Sequence, residues 1–152
     1  MHLSASIVRN TPIEVLEAKT TMLVERFELR TDSPGPGRRR GGAGLHRQIR
    51  FLGPGEFLSV VKKTHTAPWG LAGGGDGRTN GFTLFPGTDR ERPVSTFRTA
   101  VAPGDRVLVD SGGGGGWGDV RERDPQQVRE DVIDGIVSPQ AARRDYGVEV
   151  EG

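Results

Sequence analysis

The sequence predicts an α+β fold in which β-structure dominates, with many short antiparallel strands, long loops and a short helical pair near the C-terminal end. Alternating patterns typical of strands come first along the chain, and helical patterns close it. Glycine and proline make 34 of the 152 residues, close to the share typical of loop-rich chains. Only 33% of residues are apolar, so we expect a thin core and short strands.

The organisation that follows is a single module over residues 1–152. No repeat and no clean boundary divides it. We expect a lead-in over residues 1–22, a β-rich region over 23–118 and a helical tail over 119–152.

The lead-in contains one short predicted helix, which ends near Lys19. Thr11 is a candidate cap, and Pro12 suits the first helical turn because its φ is fixed near the helical value. The first strand follows over 23–30. Its apolar residues alternate with charged ones, which predicts a half-buried strand. The apolar side chains expected on one face are Leu23, Phe27 and Leu29.

The middle of the chain alternates strands with loops. A loop over 32–44 leads to strands 45–52 and 56–63, and Gly53-Pro54-Gly55 between them predicts a hairpin. A second long loop covers 64–81. The remaining predicted strands, separated by Pro-Gly breakers, are 82–85, 94–101 and 106–110.

The tail predicts two helices. The first opens at Asp124-Pro125 and ends at Gly135. The second covers 140–145, is capped by Ser138-Pro139 and ends at Tyr146-Gly147. The apolar residues that share one face of the first helix are Val128, Val132 and Ile133.

Composition excludes several classes of function. A formal charge of +1 gives no reason to expect nucleic acid or a membrane as a partner. Cysteine is absent, so disulfides, thiolate metal sites and a cysteine nucleophile are excluded. The first residues do not resemble a signal peptide, and no segment is apolar enough to span a bilayer. We therefore expect a cytoplasmic protein.

The densest motif is the glycine run between Ser111 and Asp119. Gly113, Gly115 and Gly118 satisfy G-x-G-x-x-G, the pattern of dinucleotide-binding turns. A Rossmann turn passes directly into a helix within a βαβ unit, and this run does not, so we disfavour that interpretation. A backbone nest for an anion remains an unspecific alternative.

Basic and aromatic side chains mark the loops. Arg38-Arg39-Arg40 could clamp a carboxylate or phosphate, although a solvated patch or a subunit contact is the commoner role and the one we favour. Trp69 and Trp117 are either anchors packed under their glycine loops or contacts to a partner, and both readings stay open. The histidines, at positions 2, 46 and 65, lack carboxylates at ligand spacing and predict no metal site.

An ordered series of motifs resembles the C-terminal part of the hydantoinase B/oxoprolinase family. The resemblance runs from about Asn10 to Val148 and corresponds only to the end of the family's much longer subunit. Trp117 stands where the family more often has another aromatic residue, and Val120 where a proline is common. The motifs, in chain order, are Asn10-Thr-Pro-Ile-Glu14, Val24-Glu-Arg-Phe-Glu-Leu-Arg30 with Asp32-Ser33, the glycine–arginine loop Gly35 to Gly44, Pro68-Trp-Gly-Leu71 with Gly73-Gly74, Pro103-Gly-Asp105, Gly112 to Asp119, and Asp145-Tyr-Gly-Val148.

The resemblance implies ATP-dependent opening of cyclic amides such as 5-oxoproline or hydantoins, with relatives that carboxylate ketones. In such systems an ATP-using A-type subunit phosphorylates the substrate, which makes a poor electrophile a good one, and the B-type partner completes the chemistry. ATP and a divalent metal are implied for the complete enzyme. The family's metal-binding His and Asp positions lie in its N-terminal part, so no catalytic or metal residue carries over to this chain.

Three hypotheses follow. In the first, the chain acts with the remaining portion of a B-type subunit and an ATP-using partner, and is inactive alone; the enzyme is a cyclic-amide hydrolase or, as an alternative, a related ATP-dependent ketone carboxylase. In the second, it is a non-catalytic interaction module. In the third and weakest, the glycine run binds a nucleotide. The candidate subunit or substrate contacts are Arg38, Arg39, Arg40, Trp69, Gly114, Gly115, Gly116, Trp117 and Asp119.

Overall fold

The computed structural model describes residues 10–150, and their strands come before the helical pair, as predicted. The strands form an antiparallel five-stranded sheet in the order β1-β2-β7-β4-β5 and a two-stranded sheet of β3 and β6. The α+β, β-dominated prediction is confirmed. The elements are α1 (Ile13–Lys19), β1 (Met22–Arg30), β2 (Gly44–Phe51), β3 (Gly55–Val60), β4 (Gly81–Leu84), β5 (Arg92–Pro93), β6 (Thr96–Val101), β7 (Arg106–Asp110), a 3-10 helix (Val120–Glu122), α2 (Pro125–Ile133) and α3 (Pro139–Tyr146).

The main core lies between the two sheets. Val107 of β7 faces Ile49 of β2 on one side and Leu84 of β4 on the other, and both Val107 and Leu84 are fully buried. Phe57 of β3 packs on this face, with its ring centroid 5.7 Å from that of Phe51 and 5.5 Å from that of Phe82. Because directly opposed residues of an antiparallel pair share a face, β1, β2, β7 and β4 present one apolar surface to the small sheet.

A β-bulge in β1 corrects the predicted face of this strand. The register shifts between Val24 and Arg26, so that Val24 is opposite Ile49 while Phe27 is opposite Arg47. The extra residue moves Leu23 to the face opposite Phe27. The prediction that Leu23, Phe27 and Leu29 share one face is therefore wrong, and Phe27 and Leu29 are 41% and 46% exposed.

The predicted hairpin around Gly53-Pro54-Gly55 is also wrong. β2 lies between β1 and β7, whereas β3 pairs with β6, from Gly55 opposite Val101 to Val60 opposite Thr96. Both edges of β2 are occupied by other strands, so the reversal after it carries the chain into the second sheet.

A second core joins the helices of the tail. Val128 of α2 and Ala142 of α3 are fully buried and pack with Ile136 and Val137. Ile133 is 80% exposed, so the prediction that it shares the buried face of Val128 is wrong. Helix α2 has nine residues, which make two and a half turns. At its C-terminal end Val132, the residue before Ile133, packs against this core.

The caps of the tail helices match the sequence, whereas the cap of α1 does not. The Asp124 carboxylate accepts from the Gln126 N–H, and the Ser138 hydroxyl accepts from the Ala141 N–H. Gly147 ends α3 with a φ of 68°, in the left-handed region that favours glycine. Pro12, not Thr11, occupies the cap position of α1, without a side-chain hydrogen bond.

Candidate functional site

The glycine run lies at the centre of three loops, which we call the glycine layer and define as residues 33–42, 68–78 and 112–118. A Cβ built on Gly113 or Gly116 would collide with the backbone of 33–36, and one on Gly115 would collide with the carbonyl of Trp69. Residues three apart thus face the same neighbour, the period of a polyproline II helix. Glycine is required here because backbone approaches the run from several sides.

Apart from that of Gly115, the backbone N–H groups of residues 112–118 donate hydrogen bonds within the protein. The N–H groups of Gly114 and Gly116 donate to the carbonyls of Gly42 and Gly75, each at 2.9 Å, and that of Gly112 donates to Asn80 Oδ1 at 2.5 Å. Those of residues 113, 117 and 118 donate to other carbonyls of the layer. N–H groups already held by protein acceptors cannot cradle a phosphate, so this geometry argues against both the dinucleotide turn and the anion nest.

Two tryptophans and a leucine stand at the edge of the layer. Trp69 is 68% exposed, Leu71 58% and Trp117 47%. The Trp117 backbone bridges to Arg39 on one side and to Leu71 on the other. Rings packed under their loops as anchors would be buried, so these exposures favour the contact reading of Trp69 and Trp117.

Residues 38–40, which we call the arginine loop, meet the helical tail through the buried carboxylate of Asp131. Arg40 Nε lies 2.7 Å from Asp131 Oδ1, and Arg123 Nη2 lies 2.6 Å from Asp131 Oδ2. Arg38 Nη1 lies 3.3 Å from Glu122 Oε2. The three arginines of the loop line one cleft together with Arg123, and this cleft has a volume of about 600 Å³.

Asp119 begins the 3-10 helix after the run. Its carboxylate accepts from the backbone N–H of Arg121 at 2.9 Å and from the Arg121 guanidinium at 2.6 Å. The guanidinium hydrogen bonds, followed by the backbone one, lower the pKa of the Asp119 carboxyl to about 2. This side chain is therefore ionised and locally paired, an N-cap for the turn that leaves the glycine layer.

The structure brings the predicted contact residues to one region. Trp117 lies beside Arg39, the Gly115 backbone abuts Trp69, and Asp119 follows directly. Gly114, Gly115 and Gly116 stand inside the layer against backbone of the same chain, and their role as contacts remains a prediction. Arg123 and Asp131 were missed, because a single carboxylate within an ordinary helical pattern gives no signal of a loop packed against it.

The histidines and carboxylates do not gather as metal ligands. Between residues 10 and 150, no group of three His, Asp or Glu side chains is arranged to hold a metal ion. His46 Nδ1 lies 2.7 Å from Asp110 Oδ1, a pair on the polar face of the large sheet. His2 lies outside the described residues. In the same part of the chain, no helix combines the length and apolar character needed to cross a bilayer.

Comparisons with known proteins identify relatives of this chain. The sequence profile of the hydantoinase B/oxoprolinase family matches residues 1–120. Caprolactamase subunit beta of Pseudomonas jessenii is 33% identical over 149 residues, covering 92% of this chain and 25% of the relative. The 5-oxoprolinase of Saccharomyces cerevisiae is 31% identical over 111 residues, covering 72% of this chain and 9% of the relative.

Two solved structures share the fold. The crystal structure of ATP-dependent caprolactamase from Pseudomonas jessenii superimposes with a TM-score of 0.78 at 30% identity, covering 93% of this chain and 25% of that chain. Nucleotide-free acetone carboxylase superimposes with a TM-score of 0.77 at 20% identity, covering 93% and 23%, a likeness of fold alone. The chain thus spans about a quarter of the length of the caprolactamase subunit that it matches.

Proposed function

Because this chain belongs to the hydantoinase B/oxoprolinase family, we propose that it is the C-terminal module of a B-type subunit. In this role it contributes to ATP-dependent hydrolysis of a cyclic amide, of the 5-oxoproline, hydantoin or caprolactam type. It does so with the remaining portion of such a subunit and with an ATP-using A-type subunit. The observation that carries the proposal is the superposition of nearly the whole chain on a quarter of an ATP-dependent caprolactamase chain.

The geometry supports a contributing module. The described residues present no cluster of metal ligands, and the N–H groups of the glycine run, apart from that of Gly115, donate to protein acceptors. We therefore propose that ATP and any divalent metal bind to the portions of the enzyme that this chain does not match. The cysteine-free composition is compatible with a reducing compartment, and we propose that the module acts in the cytoplasm.

The contribution that we propose for this chain is contact. The glycine layer holds Trp69 and Trp117 partly exposed, and aromatic side chains on a rigid support lose little freedom when a partner covers them. Arg38, Arg39 and Arg40 border the same region, and Asp119 turns the chain away from it. We propose that this edge faces the rest of the subunit or the substrate.

A chimeric enzyme tests the proposal. The quarter of caprolactamase subunit beta that aligns with this chain is replaced by this chain, and the chimera is assembled with the other caprolactamase subunit. We expect lactam-dependent ADP release and ring-opened product from the chimera, and none from this chain alone with ATP and any of the three ring types. A matched subunit that lacks the quarter is the negative control, and one with its own quarter reinserted is the positive control.

Two outcomes contradict the proposal. Hydrolysis of a cyclic amide by the purified chain alone would show independent catalysis. An assembled chimera that stays inactive on all three rings, while the reinserted control is active, would show that the module does not serve this chemistry. Acetone with bicarbonate and ATP is the assay for the ketone carboxylase alternative.

The second candidate function is a non-catalytic interaction module, favoured by the exposure of Trp69 and Trp117. It predicts that Trp117→Ala weakens assembly of the chimera while turnover of the assembled fraction is unchanged. If assembly is complete and turnover falls, the module contributes to the reaction itself. Size-exclusion chromatography and ADP release measured on the same fractions separate these outcomes.

A further inference from the structure

The cleft between the arginine loop and α2 belongs to the edge described above, and the proposed function does not say which chemical group its charges bind. We call it the arginine cleft, and it opens over about 600 Å³. The side chains that line it are Arg38, Arg39, Arg40, Glu122, Arg123, Asp124 and Gln127.

Its floor holds more positive than negative charge. Arg40 and Arg123 share the single carboxylate of Asp131, one on each oxygen. The side chains of Arg123 and Asp131 are each only 8% exposed. Arg123 Nε is buried and finds no hydrogen-bond acceptor among residues 10–150. A buried donor without an acceptor is unusual, and two guanidiniums on one carboxylate leave one positive charge uncompensated.

Its mouth holds guanidinium groups that are free to bind. The pair of Arg38 with Glu122 is open to solvent, with the two side chains 56% and 58% exposed, so it is weak and can exchange. Arg39 takes part in none of the ion pairs of the described chain. The two backbone hydrogen bonds with Trp117 nevertheless fix the backbone of Arg39, and with it the position from which the side chain extends.

The remaining carboxylate of the cleft does not cancel this charge. Asp124 Oδ1 accepts the Gln126 N–H as the cap of α2. Four guanidiniums therefore face three carboxylates, those of Glu122, Asp124 and Asp131. Guanidinium forks match the planar edge of a carboxylate or phosphate with two parallel hydrogen bonds.

We propose that the arginine cleft binds the oxyanion group, phosphate or carboxylate, of a small molecule, with Arg39 as its principal ligand and Arg38 as the second. The volume exceeds that of a bare phosphate, which suits an anionic group carried on a larger molecule. This inference rests on residues of this chain alone and does not require that the proposed hydrolysis be correct.

The test is a titration of the purified chain with inorganic phosphate and, separately, with acetate, at an ionic strength held constant with sodium chloride. Backbone and arginine Nε NMR signals are followed. We expect saturable shifts confined to residues 38–40 and 122–127. Arg39→Gln should weaken binding at least tenfold, and Arg39→Lys, which keeps the charge but not the fork, should weaken it less. The matched control is Arg129→Gln, an exposed arginine of α2 that does not line the cleft.

The outcomes separate clearly. Preference for phosphate or for acetate assigns the class of anion. Shifts that grow linearly, that spread over all arginines or that are unchanged in Arg39→Gln overturn the site. If Arg39→Gln alters the thermal midpoint, Arg38→Gln replaces it as the test variant, with the same expectation. An inactive caprolactamase chimera leaves the titration unaffected, so failure of the proposed function is distinguishable from failure of this site.

Discussion

Arg39 and Trp117 exchange both of their backbone hydrogen bonds. The Arg39 N–H donates to the Trp117 carbonyl at 2.9 Å, and the Trp117 N–H donates to the Arg39 carbonyl at 2.8 Å. Residue 37, beside this pair, must be glycine, because a Cβ at this position would lie 2.7 Å from the Trp117 nitrogen. The backbones of the arginine loop and the glycine run are therefore held together as one unit. A substitution that displaces the backbone of one segment should also displace the other.

Two glycines of this unit make a matched pair for a stability test. A Cβ on Gly116 would collide with the Pro36 carbonyl, whereas one on Gly42 would meet no atom within 4 Å. We expect Gly116→Ala to lower the free energy of unfolding by about 1–3 kcal/mol or more, because backbone must move to admit the methyl group. Gly42→Ala should stabilise by up to about 1 kcal/mol, through the smaller entropy of its unfolded chain.

Urea denaturation followed by tryptophan fluorescence measures both variants. Equal midpoints for Gly116→Ala and Gly42→Ala would contradict the close packing of the glycine layer.

Asp131 is the second residue whose substitution should strongly lower the free energy of unfolding. It is 6% exposed and carries the only carboxylate that Arg40 and Arg123 contact in the described chain. Asp131→Asn leaves two poorly solvated cations without compensation, and breaking such a pair lowers the free energy of unfolding by about 3–5 kcal/mol. Glu130→Gln, exposed on the same helix, is the control and should change it by less than about 0.5 kcal/mol.

Thermal and urea unfolding of the two variants give the comparison. A loss of less than 1 kcal/mol for Asp131→Asn, on the scale of an exposed pair, would show that the guanidiniums reach solvent.

Asp119 should titrate well below an ordinary aspartate. The Arg121 guanidinium and N–H lower the pKa of its carboxyl to about 2, from an ordinary 3.8. Because the folded-state pKa is the lower one, the contribution of Asp119 is present above pH 3.8 and is lost as the pH falls toward 2. Carboxyl ¹³C shifts measure the titration directly. In Arg121→Gln the pKa should rise toward 3.8, whereas Arg129→Gln should leave it unchanged.

Local chemistry made much of the tail predictable. Asp124-Pro125 and Ser138-Pro139 announce helix starts and Gly147 a helix end, since capping needs only neighbours in sequence. The glycine run likewise predicts close packing, and the ordered motifs identify the family. The segments that pack against the glycine run were not predictable, because the carbonyls that contact Gly113 and Gly115 come from two distant loops.

The errors came from strand pairing. Gly53-Pro54-Gly55 has the composition of a hairpin turn, but which strand pairs with β2 is decided by β7, which lies more than fifty residues downstream. The bulge after Val24 leaves the alternation of the sequence intact while it reverses which residues face the core. The ion pairing of Asp131 was not predictable for the same reason, because its partners include Arg40, which is ninety-one residues away in the sequence.

Glu25, at that bulge, should make the large sheet sensitive to acid. Hydrogen bonds from Arg106 and then from Gln48 lower the pKa of its carboxyl, so its contribution is present above the unfolded value and lost as the pH falls below it. Glu25→Gln should lower the free energy of unfolding by about 1–2 kcal/mol at pH 7, since the site is partly exposed. The difference from wild type should shrink at pH 3 in urea titrations. Glu28→Gln, an exposed carboxylate of the same strand, should differ from wild type by less than about 0.5 kcal/mol. A loss that is equal at both pH values would assign the role of Glu25 to packing instead of charge.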